Sequence, residues 1–403
     1  MTRLLESELI LSGEHRPILR SPLAKECEVL FVIPVHDENP QRLLDVLTSL
    51  ADQWCEPGTV ETIVVVNNGP IDRDERRGQE IFERNQAALA LPVFRNTDSS
   101  STRQTPQSKY IRSSLAAYVI DRSSPGNWTA GSNVGKARRL GLLEAASRFA
   151  RAGHNGLVVH TDADCRFDDQ QFVSKIMRLF AGDAKLVGLA GAHKPEFDPT
   201  DPEAKELVGH LLTYLRFRRY TALARSIRRG HAVFNPEKPL GSCLIHRAFE
   251  GVLAGGIDPV PFEEDVTFGY KLMDYATENG MHFAHGRRFG LGPVSAIRVS
   301  DRTPNNVVRR FLRSLEPDGS LFVPDVLSAH GSILLDDRYL EELINRVRSL
   351  PGGLEQIEYM FFTSALATTR GRRGSHEFNE DSRRVPGFPY KQPANQVGAQ
   401  GRC

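Results

Sequence analysis

The sequence has no long hydrophobic run, no paired cysteine spacing and no charge imbalance, and each absence removes a class of protein. No stretch approaches the roughly 20 apolar residues that a membrane-spanning helix needs. The five cysteines, Cys27, Cys55, Cys165, Cys243 and Cys403, are scattered and odd in number, and no two have the spacing of a zinc site or a redox pair. Free thiols in a reducing cytoplasm are the expectation. Lys and Arg total 51 against 50 Asp and Glu, a formal charge of +1. Nothing in that balance draws the chain to nucleic acid, and none is expected as a partner. A peripheral membrane contact stays open. Met1 to Arg20 alternates charged and apolar residues and lacks the apolar centre of a signal peptide. Internal repeats are absent. What is present is ordinary globular composition, 40% hydrophobic and 25% charged, over 403 residues. That length can bury a large core as one big domain or two.

The order of patterns points to an α/β sheet. Cys27 to Val35 is an apolar run that reads as a buried strand, and Pro40 to Gln53 follows with Leu43, Leu44, Leu47 and Leu50 at helical spacing. Thr59 to Val66 is a second β-rich run, closed by the turn signal Asn67-Asn68-Gly69-Pro70. Asp72 to Ala90 reads as a polar helix. Strand, helix, strand, helix in that order implies a parallel, doubly wound sheet flanked by helices. Asn96 to Trp128 breaks the pattern and reads as a loop insertion with a helical piece near Ile111 to Ile120. Val134 to Arg151 is helical and leads into the apolar run at Leu157; Phe172 to Phe180 and Leu186 to Ala190 read as the next helix and strand. Glu203 to Arg229 reads as a long amphipathic helix with a basic end. The organisation expected is an N-terminal extension at 1–25, a main domain at 26–300 with the insertion at 96–128, a helical C-terminal extension at 301–370 and a disordered polar tail at 371–403.

The chemistry concentrates where the Leu157-Val158-Val159-His160 run ends in Thr161-Asp162-Ala163-Asp164. Residues two apart in an extended chain point to one side. Asp162 and Asp164 can therefore aim together just past a strand end, where open α/β sheets bind ligands. Paired carboxylates suit a hard divalent cation, Mg²⁺ or Mn²⁺, shared with substrate phosphates. The competing reading is that both aspartates cap a helix starting near Asp168. A second acidic motif, Glu263-Glu264-Asp265, opens a helical pattern about a hundred residues later. Acidic residues there suit the helix dipole, and one facing a pocket could act as a general base. Between the two motifs lie Gly241-Ser242 and Gly255-Gly256-Ile257-Asp258, either ordinary turns or places of close backbone approach to a ligand.

Together these motifs resemble the family-2-type glycosyltransferases with the GT-A fold. Ile33-Pro34-Val35-His36-Asp37-Glu38 is similar to that family's first strand and Pro-x-x-x-Glu turn. Val66-Asn67-Asn68 resembles its second strand and nucleotide-contacting turn, and Gly135-Lys136-Ala137-Arg138-Arg139 its Ala-Arg-Asn-x-Gly helix. Asp162-Ala163-Asp164 matches its Asp-x-Asp and Glu264-Asp265 its Glu-Asp motif, all in the family's order between about Cys27 and Tyr275. The chain departs from the family at Asn67-Asn68, where an Asp is usual, and at Arg139, where an Asn is usual.

The resemblance implies a GT-A-like mixed sheet and a metal-dependent, inverting sugar transfer from a nucleotide-diphosphate donor to an acceptor hydroxyl. That acceptor would be a saccharide, a lipid-linked glycan or a small molecule. Pro34, His36, Glu38, Asn67 and Asn68 would line the nucleotide pocket, with Lys136 and Arg138 near the base or diphosphate. Asp162 would sit near the ribose and the metal, Asp164 would be the main ligand to Mn²⁺ or Mg²⁺, Asp265 the base, and Glu264 would orient the acceptor or the base. His282 and His285 are candidates by position for a third metal ligand; His193 reads as a loop residue. Arg298, Asp301 and Arg302 would form either a diphosphate or acceptor contact or a surface ion pair. Trp128 is the better sugar-stacking candidate of the two tryptophans. Two alternatives are an inactive GT-A scaffold that binds nucleotide sugars and a sugar-phosphate nucleotidyltransferase. The acidic His36-Asp37-Glu38-Asn39 loop disfavours the second, which would open on a Gly-rich, Arg-bearing phosphate loop.

Overall fold

A computed structural model describes residues 17–68, 76–94, 115–128, 133–192, 194–197, 242–260 and 264–297, with isolated positions 202 and 205. Apart from position 205, the expected helix at 203–229 lies outside the described residues, as do the 301–370 extension, the tail, and His193, Gly241, Glu263, Arg298, Asp301 and Arg302. The centre is a seven-stranded sheet in the order β3-β2-β1-β4-β8-β6-β9. Its strands are β1 (Val29–Val35), β2 (Val60–Asn67), β3 (Ala116–Arg122), β4 (Leu157–His160), β6 (Leu186–Ala190), β8 (Leu244–Arg247) and β9 (His282–His285). Strand β8 alone runs against its neighbours, β4 and β6; the other pairings are parallel. The sheet is therefore mixed and mostly parallel: the strand-helix order predicts its parallel part, and the resemblance implies a mixed one.

Burial explains the strand composition. Every residue of β1, β2 and β4 is buried, because helices cover the sheet faces. Helices α1 (Pro40–Ala51), α2 (Arg76–Leu89), α3 (Val134–Ala152), α4 (Phe172–Gly182), α5 (Ala248–Leu253) and α6 (Glu264–Glu278) complete the described helices. One core layer packs Phe31, Leu47, Phe167 and Phe172 on one face; the other packs Leu30, Val32, Phe149 and Phe268 on the opposite face. Helix α3 begins at Asn133, whose side chain accepts the Lys136 N–H. It lies close against β1 at Gly141, where an added Cβ would meet Val32 Cγ1 at 2.3 Å. Among the described residues no helix is long and apolar enough to cross a membrane.

Two expectations are corrected here. The helical piece placed near Ile111 to Ile120 is instead, from Ala116 onward, the edge strand β3, in register with β2 from Glu61↔Ala116 to Asn67↔Arg122. Its Ala-Ala-Tyr-Val-Ile run is too short for periodicity to separate strand from helix, and pairing with β2 decides. The helix expected near Asp168 starts at Phe172, eight residues past Asp164, so neither Asp162 nor Asp164 caps it.

Part of the expected N-terminal extension lies against α3. The fully buried Glu144 carboxylate accepts the backbone N–H groups of Ile18 (2.8 Å) and Leu19 (3.2 Å), and Arg148 donates to the Ser21 carbonyl at 2.8 Å. Arg148 itself is buried, paired with Glu61 of β2 and placed 4.7 Å from the Tyr118 ring centre. Replacing Glu144 with Ala should cost about 1–3 kcal/mol, the penalty of stranding buried donors, and should speed tryptic cleavage after Arg20. Urea denaturation and timed proteolysis measure both; parental stability and cleavage would show that Glu144 does not hold this segment.

Candidate active site

The two acidic motifs meet at one place. Strand β4 ends at His160, and the Cys165 N–H bonds back to the Asp162 carbonyl at 3.1 Å, forming a tight turn. Past that turn, β5 (Cys165–Arg166) joins a smaller sheet with β10 (Val294–Ile297) and β7 (Lys194–Phe197). The Asp-x-Asp turn thus spans two sheets, at the carboxyl end of a central strand. Ligand atoms of Asp162, Asp164 and Cys165 lie within 4.8 Å of one another.

Arg138 links this turn to the other motif. Its guanidinium, almost completely buried, donates from Nη2 to Asp162 Oδ1 and from Nη1 to Glu264 Oε1 at 2.5 Å. Glu264 is the first residue of α6 and is buried; Asp265 follows and is half-buried. Burial pushes Glu264 up to about 7, opposed by Arg138 and aided by Asp265. Asp162 is raised by the surrounding protein, lowered by Arg138, then raised by Asp164 and Asp265. Its side chain keeps 41% of its surface open, so water moderates that shift. Burial works against the Arg138 charge, but Asp162, Glu264 and Asp265 outweigh it and raise its pKa.

The buried guanidinium thus pairs with Asp162 and Glu264, with Asp164 and Asp265 next to them on the two motifs. The paired carboxylate oxygens of Asp162 and Asp164 fit a hard divalent cation. Cys165 fits less well, because burial and then the neighbouring aspartates hold its thiol well above its ordinary pKa and keep it protonated.

The residues expected to hold a nucleotide gather beside this cluster. Pro34 is buried in β1 opposite Val65. His36 Nδ1 lies 2.9 Å from the Asn67 carbonyl, tying the ends of β1 and β2. Asn67 Nδ2 donates to the Asn133 carbonyl at 3.0 Å, and Asn133 Nδ2 donates to the Pro259 carbonyl at 3.0 Å. Gly135 lets the start of α3 meet this loop: an added Cβ would lie 2.4 Å from the Asp258 and Val260 carbonyl oxygens. Lys271 holds Asp258 at 2.6 Å, and Arg139 donates to the Ile257 carbonyl at 3.0 Å. Glu38 is buried and accepts the Asn39 N–H at 3.0 Å. Lys136 is half-buried in the first turn of α3.

Asn85 and Ser123 join the site without a sequence signal, alongside the expected Asn68 and Trp128. Asn68 Oδ1 accepts from Asn85 Nδ2 at 2.6 Å and from the Ser123 hydroxyl. Trp128 Nε1 donates to the Ser123 carbonyl at 2.5 Å, which anchors its ring at this end of the sheet. Asp37, in the left-handed region with φ 53°, is buried between Arg77 and Arg84. Asn85 and Ser123 are polar residues in polar segments, and only tertiary packing marks them.

Of the histidines, His282 lies away from the aspartate pair. It starts β9 opposite Leu186 and bonds Asp183 at 2.9 Å. That is about 10 Å down the strand from the end carrying the aspartates. His285 closes β9 at the correct end, but β8 and β6 intervene, a lateral distance of about 14 Å from β4.

Beneath the cluster, His160 and His246 face each other with Nε2 atoms 3.1 Å apart, both against Phe268. His246 Nδ1 lies 2.8 Å from the Arg247 carbonyl and so carries a proton. Its Nε2 then accepts from His160 Nε2, and both rings are neutral. Burial pushes His246 down to about 4.

No family model matches the chain. No curated protein matches it either. Among solved structures it is similar to a mannosyltransferase from Pyrobaculum calidifontis in complex with GDP-Man and Mn²⁺, at 14% identity, covering 93% of this chain and 84% of that one, with a TM-score of 0.38. Residues 1–349 of TarS from S. aureus in complex with UDP align at 14% identity over 81% of this chain and 73% of that one, TM-score 0.34. Glucosyl-3-phosphoglycerate synthase from Mycobacterium tuberculosis, in complex with Mn²⁺, UDP-Glc and glycerol 3-phosphate, aligns at 13% identity over 74% and 84%, TM-score 0.37. Values this low carry no argument about activity, which rests on the side chains themselves.

The histidine pair generates a pH prediction. With its folded pKa below the ordinary 6.5, His246 binds fewer protons folded than unfolded. Its contribution is present above about 6.5 and is lost as pH falls through about 4, a change on the order of 3 kcal/mol. Thermal melts between pH 7 and 4 should show a steeper fall for the parent than for His246→Gln; equal slopes would remove His246 as the source.

Proposed function

We propose that the chain is a metal-dependent, inverting glycosyltransferase of the family-2 type, moving a sugar from a nucleotide-diphosphate donor to an acceptor hydroxyl. The observation that carries this reading is the strand-end pair Asp162/Asp164, of which Asp162 is joined through Arg138 to Glu264, the neighbour of Asp265. The order of the motifs and a mixed, mostly parallel sheet of the GT-A kind agree with it. Donor-side residues are Pro34, His36, Glu38, Asn67, Asn68 and Lys136, at the ends of β1 and β2 and the start of α3. Uncharged amides at Asn67 and Asn68 can hydrogen-bond a base edge without selecting for charge.

Asp162 and Asp164 would hold Mn²⁺ or Mg²⁺, which supplies Lewis-acid neutralisation of the diphosphate leaving group. Asp265 takes the proton of the acceptor hydroxyl as that oxygen bonds to the anomeric carbon and the bond to the diphosphate breaks. One displacement inverts the centre. Glu264, buried and bound by Arg138, suits an orienting role, and half-buried Asp265 suits the base. A cytoplasmic setting, with a saccharide, lipid-linked glycan or small molecule as acceptor, completes the proposal.

The test is Asp265→Asn, assayed with Mn²⁺ and a panel of UDP- and GDP-sugars by release of nucleoside diphosphate. Removal of a general base lowers turnover by roughly 10² to 10⁴, with donor affinity near parental. A purely capping Asp265 predicts parental turnover, since Asn caps about as well. Loss of turnover in Glu264→Gln alone would move the base one residue earlier.

A further inference from the structure

Arg138 is the one basic side chain shown to bridge both acidic motifs among the described residues, and it cannot move far. It projects from α3, which is held against β1 at Gly141 and against the 258–260 loop at Gly135. Its guanidinium is almost fully buried, and Nε has no hydrogen-bond partner in the structure. The remaining fork is divided between two carboxylates from different parts of the chain: Nη2 on Asp162, Nη1 on Glu264. A planar fork can hold two acceptors at a fixed separation; a lysine ammonium, a point charge on a flexible stem, cannot reproduce it.

We propose that Arg138 is a positioning residue that clamps the start of α6 to the Asp-x-Asp turn and sets how much negative charge Asp162 presents to a divalent cation. The inference rests on the cation-binding reading of Asp162 and Asp164. The guanidinium engages Oδ1 of Asp162 and offsets part of the charge that this carboxylate presents to a cation. Its other nitrogen keeps Glu264 from adding a fully uncompensated charge a short distance away. Cation affinity and the placement of α6 are thereby tied to one side chain. A residue that only fills space between α3 and α6 would have neither effect.

The experiment uses Mn²⁺ alone, counted by the electron paramagnetic resonance signal of the unbound ion, and thermal melts. The variants of the full chain are Arg138→Lys, Arg138→Met and Arg138→Met with Glu264→Gln. Arg138→Met should bind Mn²⁺ about tenfold more tightly than the parent, because a positive charge near the cation has gone. Arg138→Lys retains the charge and should stay within about threefold of parental affinity, yet melt lower because the fork is lost. Adding Glu264→Gln to Arg138→Met should recover part of the lost melting temperature, since no buried carboxylate is then stranded. Unchanged or weaker Mn²⁺ binding by Arg138→Met would overturn the proposal. Should that variant not fold, parental melting of Arg138→Lys would overturn it instead. If the parent itself binds no Mn²⁺, the cation-binding reading falls and takes this inference with it.

Discussion

The site depends on one buried cation, the guanidinium of Arg138. Without it, the end of β4 and the start of α6 would bring Asp162 and Glu264 together without the positive charge that now sits between them. Breaking such a buried pair is expensive because the stranded charge cannot be solvated. Asp162 and Asp164 sit on the turn past the carboxyl end of β4, where α/β folds receive ligands.

The sheet was readable from the sequence where burial is complete on both faces. The runs in β1, β2 and β4 are continuous and apolar because helices cover them, and their order alone implied a parallel sheet. Strand β3 was not readable, since Ala116 to Ile120 is a short apolar run inside a polar stretch and only its pairing with β2 makes it a strand. The Asp-x-Asp turn was legible because its two carboxylates sit at a fixed local spacing past a buried run. Its contact with Glu264 was not, because the Arg138 bridge crosses 126 residues of chain.

A similar limit applies to the supporting shell. Asn68 could be singled out from its turn, but Asn85 and Ser123, which fix its amide, sit in segments whose polarity looks like ordinary surface. His160 and His246 look like isolated residues until antiparallel pairing of β4 with β8 sets them face to face. Sequence spacing reports what one element does alone; groups that different elements bring together become visible only once the register is known.

The central claim is that Asp162 and Asp164 hold a divalent cation shared with a nucleotide diphosphate. Titration calorimetry of UDP, GDP and dTDP into the protein, with and without Mn²⁺, measures this directly when parent and Asp164→Ala are run together. The account predicts Mn²⁺-dependent binding of at least one nucleotide to the parent, weakened at least about tenfold by Asp164→Ala with the fold intact. Binding that is equally tight in the variant, or that ignores Mn²⁺ in the parent, would contradict it.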